Sequence, residues 1–125
     1  MEKLCAVYVF IDASNIWEVQ KAKGRIFDYV KLKDYLKKKF PGSEIKIFYY
    51  TSFPAEGSRS YSLDGRHRFF TYLRDGLGFV VRKKKLKRIN IVTDAGIKVL
   101  EKGNMDVEIV IDAIDNINKY DVAIL

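Results

Sequence analysis

Four polar residues combine the side-chain types and the spacing that metal-assisted phosphate chemistry requires. Asp12 and Asn15 come just after the continuous apolar run 5–11, and Asp106 and Asp112 lie in a later segment with helical periodicity. An acid directly after a buried strand lies at the mouth of a sheet, where a hard cation can take oxygen ligands. Asn15 is placed to orient that carboxylate or a metal-bound water. The simpler interpretation of Asp12 is a helix N-cap or a loop aspartate.

The two later acids each have a structural and a functional interpretation. A helix N-terminus favours a carboxylate electrostatically, so Asp106 can act as a simple capping residue. Helical spacing also puts Asp106 on an apolar stripe, which comprises Val110, Ala113 and Ile117. An acid on that stripe points inward, where it needs a partner or a cation. Asp112 lies on the polar face, which is typical of a solvated acid, and its functional interpretation is a further acid of the site.

Two or more acids at the mouth of a sheet fit phosphodiester hydrolysis assisted by Mg²⁺ or Mn²⁺. Mg²⁺ suits such a site because proteins hold it with few carboxylates, several waters and the substrate phosphate. A haloacid-dehalogenase-like phosphatase also has an aspartate after its first strand. That chemistry needs a second acid two residues later, where Ser14 stands here. A receiver-type phosphoacceptor domain is disfavoured for a similar reason, because no acidic pair marks the end of the first strand.

The elements that position these residues alternate between strand and helix. The apolar segments 5–11, 45–50 and 77–81 predict strands, and 121–125 begins another. Helices are expected from a cap at Ser14 to Gly24, from a cap at Asp28 to Pro41-Gly42, near 63–75, and from Asp106 to Asn118. This order predicts an α/β fold with a mostly parallel central sheet flanked by helices. Ligands in such sheets bind beyond the carboxyl ends of the strands.

A basic segment at 82–91 precedes the turn Thr93–Gly96 and the apolar run 97–100, which predicts a projecting basic β-hairpin. Cations that alternate to both faces cannot be buried on either side. The segment is either a lysine-protected edge or an arm that tracks nucleic-acid phosphates. With one later lysine, its cations form the candidate RNA-binding set of Arg82, Lys83, Lys84, Lys85, Lys87, Arg88 and Lys102.

Several aromatic residues lie close to the expected mouth of the sheet. Tyr49, Tyr50 and Phe53 stand where a strand leaves the sheet, and Trp17 follows Asp12 by five residues. Such rings can stack on splayed RNA bases. The alternative interpretation, which is the more common one, is that they belong to the core.

The motifs together resemble one family of nucleases. Asp12-Ala13-Ser14-Asn15 resembles the D-x-S-N signature of LabA-like NYN domains, a branch of the PIN-like ribonucleases. The run 102–107, Lys-Gly-Asn-Met-Asp-Val, continued by Asp112-Ala113, is similar to that family's K-G-x-D-V followed by D-A, with one extra residue before the aspartate. Residues 116–125 resemble the approach to its final catalytic strand.

This resemblance implies a PIN/Rossmann-like fold and a metal-dependent ribonuclease activity. It implies that Asp12 and Asp106 are metal ligands, that Asn15 is an orienting residue and that Asp112 is a further acid. The family's next motif, S-G-D-x-D-F, would begin directly after Leu125. We therefore expect a single domain over 1–125, truncated before its final acidic motif and weakly active or inactive in this form. A non-catalytic RNA-binding or regulatory module on the same fold is the alternative.

Composition sets the remaining expectations. The net charge of +7 favours a polyanionic partner, and the resemblance implies that this partner is RNA, single-stranded or structured. One cysteine excludes a disulfide framework and favours a reducing cytoplasm. The apolar start is too short for a membrane span, so no membrane partner is expected. An exposed sheet edge would also allow a homodimer.

Overall fold

The central sheet of the computed structural model, which describes residues 5–25, 27–53 and 64–125, has four parallel strands. The strands are β1 (Ala6–Asp12), β2 (Glu44–Phe53), β3 (Val80–Lys85) and β6 (Val122–Ile124), in the order β3-β2-β1-β6. The helices are α1 (Ala13–Lys23), α2 (Tyr29–Lys39), α3 (Asp64–Thr71), which a π-helical turn (Tyr72–Gly76) continues, and α4 (Asp106–Asp115). A separate antiparallel hairpin joins β4 (Lys87–Thr93) to β5 (Gly96–Lys102). The predicted α/β class with a mostly parallel sheet is confirmed.

Both faces of the sheet are covered, which explains why β1 is continuously apolar. Val7, Val9 and Ile11 join the core on one face, with residues of α2 and α3. Tyr8 and Phe10 alternate to the other face and pack against the start of α4. The result is three layers, with the parallel sheet in the middle.

Helix ends follow local capping chemistry. Asp28 accepts hydrogen bonds from the backbone N–H groups of Val30 and Lys31, as predicted for the start of α2. Gly24 ends α1 in the left-handed region with φ 64°, which glycine adopts without strain. The expectation that Ser14 caps α1 is wrong, because Asp12 is the N-cap. Asp12 therefore has the structural role that its simpler interpretation gave it.

Three predicted boundaries move. The third strand begins at Val80 instead of Leu77, because the backbone N–H groups of Leu77 and Phe79 still donate to Tyr72 and Leu73 in the π-helical turn. The second strand runs on past Tyr50 to Phe53, since β3 pairs with it there. The last helix ends at Asp115 and not at Asn118.

The predicted inward stripe of α4 is wrong except at Ala113. Met105, Ile109 and Ala113 pack against the sheet. Val110 is 54% exposed, Ile117 is 59% exposed, and Asp106 is exposed as well. The helix is rotated relative to the expectation because its residues at spacing four from Met105 are the ones that meet the aromatic face of the sheet. Asp106 is consequently at the solvent side of the helix N-terminus.

The basic segment is divided between two structures. Residues 82–85 pair with β2 as the carboxyl end of the edge strand β3, so the prediction that they belong to a projecting hairpin is wrong. The four cations of this strand end are exposed, because the cover of the sheet thins out at the edge. Lys87 and Arg88 do begin the predicted hairpin, whose turn places Gly96 at φ 115°. The side chains of Val92 and Ile97 near this turn are exposed.

Within the described ranges, none of the helices has the length and the apolar character that crossing a bilayer requires.

Candidate active site

A cleft of about 500 Å³ opens at the carboxyl ends of β1 and β2. From β1 the chain crosses to β2 and β3 on one side, and later places β6 on the other side. Open parallel sheets bind ligands at such a reversal of strand order, where the connecting loops diverge. The lining residues from the start of the chain are Asp12, Ala13, Ser14, Ile16, Trp17 and Gln20. The opposite wall contains residues of β2, α3 and the segment that precedes α4.

Asp12 is held in place by its own helix. Its Oδ1 accepts a hydrogen bond from the backbone N–H of Ser14 at 3.0 Å and another from the Ser14 hydroxyl at 2.7 Å. The carboxylate is thus fixed at the N-terminus of α1, where the helix dipole stabilises negative charge. The predicted position of Asp12 at the mouth of the sheet is where the structure places it.

Gly103 allows the segment that precedes α4 to approach β2. A Cβ on this glycine would lie 2.3 Å from Leu86 Cδ2 and 2.7 Å from Ser52 Cβ, so only a residue without a side chain fits. Met105, two residues later, lines the cleft and is buried in the aromatic cluster under α4. The Lys-Gly-Asn-Met segment therefore has a packing reason for its glycine, which the sequence pattern alone did not supply.

Asp106 and Asn15 lie at the surface near the cleft. The side-chain oxygen of Asn104 accepts a hydrogen bond from the backbone N–H of Asp106 at 2.8 Å, which closes a local turn around Met105, the N-cap of α4. Asp106 follows Met105 directly but is not among the residues that line the cleft. Asn15 is exposed in the first turn of α1. Their roles as metal ligand and orienting residue stay predictions.

Asp112 faces the sheet instead of solvent. Its side chain is 14% exposed, and its Oδ2 accepts hydrogen bonds from the Tyr50 hydroxyl at 2.7 Å and from Arg82 Nε at 3.2 Å. The interpretation of Asp112 as a solvated surface acid is therefore wrong. These contacts tie α4 to β2 and to the edge strand.

Lys84 forms a second ion pair between the edge strand β3 and α4. Its ammonium donates hydrogen bonds to Glu108 Oε1 at 2.9 Å and to the Asn104 carbonyl at 3.2 Å. The hydrogen bond from Lys84 lowers the pKa of Glu108. Arg82 and Lys84 thus use part of their hydrogen-bonding capacity within the protein. On the other face of β3, Lys83 Nζ lies 5.8 Å from the Phe70 ring centroid.

Buried tyrosines form the floor of the cleft. The rings of Tyr29 and Tyr49 meet edge to face, with their centroids 5.6 Å apart, and burial raises the pKa of both phenols. Burial, together with the hydrogen bond to Asp112, also raises the pKa of Tyr50. Because Tyr49 and Tyr50 are buried in the core, the interpretation of these two as base-stacking residues is wrong. Trp17 differs from them, since it is exposed.

Sequence reasoning did not select the contribution of α3 to the cleft. Arg66, Phe69 and Phe70 line it from one helix face. Their spacing of three and four residues is the signal that places them together. His67, between them, instead packs its ring 5.2 Å from that of Phe53.

The donor set of the cleft suits a hard divalent cation. The described side chains that line it include no histidine or cysteine, and its acid is Asp12, flanked by hydroxyl groups. Among the described residues, no three His, Cys, Asp or Glu side chains are grouped to hold one metal ion. A site of few carboxylates completed by water and a phosphate oxygen is the type that Mg²⁺ accepts. The donor chemistry therefore fits Mg²⁺ or Mn²⁺ held through the Asp12 carboxylate.

A parallel sheet of this order, with a fixed acid after its first strand, is consistent with a PIN-like fold. The chain belongs to the NYN domain family, whose model matches residues 6–125. It is similar to the low amplitude and bright protein LabA of Synechococcus elongatus, with 26% identity over 117 residues. The aligned region covers 94% of this chain and 58% of LabA, so the chain spans a little over half of that relative's length. No solved structure matches the chain.

Proposed function

We propose that this chain is a metal-dependent ribonuclease domain that hydrolyses phosphodiester bonds in RNA. One observation carries the proposal: Asp12, in a member of a PIN-like nuclease family, is fixed by Ser14 at the open end of a 500 Å³ cleft. A cleft of this volume is in the range that binds small ligands and single nucleotides of a longer chain.

In this proposal Asp12 and Asp106 hold Mg²⁺ or Mn²⁺, and Asn15 orients the Asp12 carboxylate. The chemistry that such an ion supplies when bound is stabilisation of the negative charge that develops on the phosphoryl oxygens. Asp112 acts as a positioning residue, because its bonds to Tyr50 and Arg82 fix the rotation of α4. That rotation decides where Asp106 lies relative to Asp12.

The protein itself provides two features that favour a phosphate in the cleft. The first residues of α1, Ala13 and Ser14, line the cleft, and helix N-termini bind anions. Arg66 lines the opposite side and adds a cationic group.

The RNA chain outside the cleft would follow the basic residues. Lys85, Lys87 and Arg88 are exposed where β3 passes into the hairpin. Cations in such a row bind phosphates without base specificity. Lys102 ends β5 opposite Lys87, on the neighbouring strand of the hairpin. Arg82, Lys83 and Lys84 complete the proposed set, although two of them also bond to α4.

The proposal is tested by cleavage of a labelled single-stranded RNA. The protein, expressed from its complete gene, is incubated with the RNA in Mg²⁺, in Mn²⁺ and in a chelator. We expect cleavage with either metal and none with the chelator. Asp12→Asn should abolish cleavage while the circular dichroism spectrum is unchanged, because asparagine caps a helix as well as aspartate does. The Asp12→Ala variant is a poorer test, since losing the cap costs about 1 kcal/mol of stability.

A non-catalytic RNA-binding module is the second candidate. The observation that favours it is the absence of a three-residue acidic group within the described part of the chain. In that case the wild type binds RNA with an affinity that falls with salt, yet leaves it intact in every metal condition. Cleavage that the Asp12→Asn variant retains would refute the proposed role of Asp12.

A further inference from the structure

Trp17 is an exposed aromatic residue at the mouth of the cleft. It leaves 56% of its surface in solvent, although it is the largest apolar side chain of α1. Ala13 and Ile16 of the same helix pack against the core, so the attachment of α1 does not require this ring. Trp17 nevertheless lines the same cleft as Asp12, five residues earlier in the chain.

The surroundings of Trp17 suit a planar ligand with an anionic backbone. Lys21 Nζ lies over one face of the Trp17 ring, 5.8 Å from its centroid, so a base would stack on the opposite face while the ammonium attracts the anionic backbone. Phe69, on the α3 side of the cleft, is 37% exposed and offers a second aromatic surface. Arg66 lines the cleft one helical turn before Phe69. Aromatic rings combined with cations are the features by which proteins hold single-stranded nucleic acid.

The helix also holds Trp17 in a defined place. Gln20, which follows it by three residues, accepts a hydrogen bond from the backbone N–H of Phe27 at 2.8 Å. This bond connects α1 to the segment before α2 and limits rotation of the helix. A platform on a fixed helix orders a ligand at a lower entropic cost than a platform on a loop.

We propose that Trp17 is a stacking platform for the nucleobase next to the phosphate that occupies the cleft near Asp12. The inference rests on the proposed ribonuclease function and assigns it a base-binding subsite. Stacking is tolerant of base identity, since every base has a π-face. The ring therefore sets the position of the RNA in the cleft and not its sequence.

The single tryptophan of the chain makes the proposal directly measurable, because all indole fluorescence comes from Trp17. A short single-stranded RNA is titrated into the wild type without divalent metal, and binding is followed in parallel by the anisotropy of a dye on the RNA. We expect saturable quenching of Trp17 with the same dissociation constant as the anisotropy. An oligonucleotide of equal length with abasic sites should leave the fluorescence nearly unchanged.

Variants of α1 test whether RNA binding depends on the aromatic ring of Trp17. Trp17→Ala should weaken RNA binding by between about 5-fold and 100-fold, whereas Trp17→Phe should retain most of the affinity. Val19→Ala is the matched control, because Val19 is an exposed residue of α1 that does not line the cleft. It should bind as the wild type does.

The failures of the two proposals differ. RNA binding by anisotropy with unchanged Trp17 fluorescence, or equal quenching by the abasic oligonucleotide, would overturn the stacking role and leave RNA binding in place. No anisotropy change with any RNA would overturn both. A fluorescence shift that depends on protein concentration alone would assign the ring to a contact between copies of the chain and would also overturn the inference.

Discussion

At the residue scale, the sequence predicted the place of Asp12 but not how it is held. A continuous apolar run followed by an acid is sufficient to place a carboxylate at the mouth of a sheet. The cap that fixes its Oδ1 depends on which residue begins the helix, and the pattern assigned that role to Ser14 instead. Sequence patterns locate helix ends only to within one or two residues. Asp12 is therefore both the N-cap of α1 and the acid of the cleft.

Gly103 provides a residue-scale prediction about the wall of the cleft. Gly103→Ala would place a methyl group against Leu86 and Ser52, and such overpacking costs about 1–3 kcal/mol. We expect a lower midpoint in urea unfolding. Gly65→Ala is the control, because a Cβ there would meet only the end of the Arg68 side chain at 3.9 Å. Equal stability of the Gly103→Ala variant and the wild type would show that the wall is not closely packed.

At the element scale, the rotation of α4 is the feature that the sequence could not predict. The helix carries apolar residues on two faces, so its own periodicity does not show which face meets the sheet. The choice depends on tertiary contacts, namely the hydrogen bond of Tyr50 to Asp112 and the burial of Met105. These contacts join residues of β2 to a helix 62 positions later in the chain. Pattern analysis of one segment does not contain that information.

The buried tyrosines of β2 and α2 predict sensitivity to alkaline pH. The pKa values of Tyr29, Tyr49 and Tyr50 are raised in the folded state. At a pH where these phenols have lost their protons in the unfolded chain, the folded state therefore still retains them. Their stabilising contribution is complete below the usual phenol pKa of 10.0 and is lost as the pH rises above it. We expect the free energy of unfolding in urea to fall between about pH 10 and pH 11.

Tyr50→Phe isolates one of these groups. The variant should be less stable near neutral pH by about 1–2 kcal/mol, because it removes a hydrogen bond from the half-buried Asp112 carboxylate. Above pH 10 the stability of the variant should fall less steeply with pH than that of the wild type. The two slopes should differ by roughly 1.4 kcal/mol per pH unit, because one proton fewer is involved. An identical pH dependence in both proteins would contradict the role assigned to the buried Tyr50 hydroxyl.

At the scale of the whole molecule, the sequence predicted the layer architecture and the separate hairpin. The alternation of elements and the glycine turn were sufficient for both. The division of the basic segment was not predicted, because the pairing of residues 82–85 with β2 is a long-range contact. Exposed apolar side chains remain on α4 and the hairpin, including Val92, Ile97 and Ile114. The homodimer expected from the sequence stays a prediction.

Charge distribution gives a prediction for the whole molecule. The double variant Lys85→Glu and Lys87→Glu should weaken RNA binding and flatten its dependence on salt by roughly 0.7 in log–log slope for each phosphate that the protein no longer neutralises. Lys37→Glu with Lys38→Glu is the control, because it makes the same change in net charge on the exposed side of α2. Anisotropy titrations at several salt concentrations measure both. If the control loses as much affinity, net charge and not this row of cations determines binding.

The central claim, that Asp12 and Asp106 share a divalent cation, is tested most directly by the binding of Mn²⁺ in the absence of RNA. Electron paramagnetic resonance of free Mn²⁺ gives the affinity of the wild type, of Asp12→Asn, of Asp106→Asn and of the surface control Asp34→Asn. We predict that each of the first two substitutions weakens Mn²⁺ binding about tenfold or more, and that the control does not. Wild-type affinity in the Asp106→Asn protein would contradict the shared site.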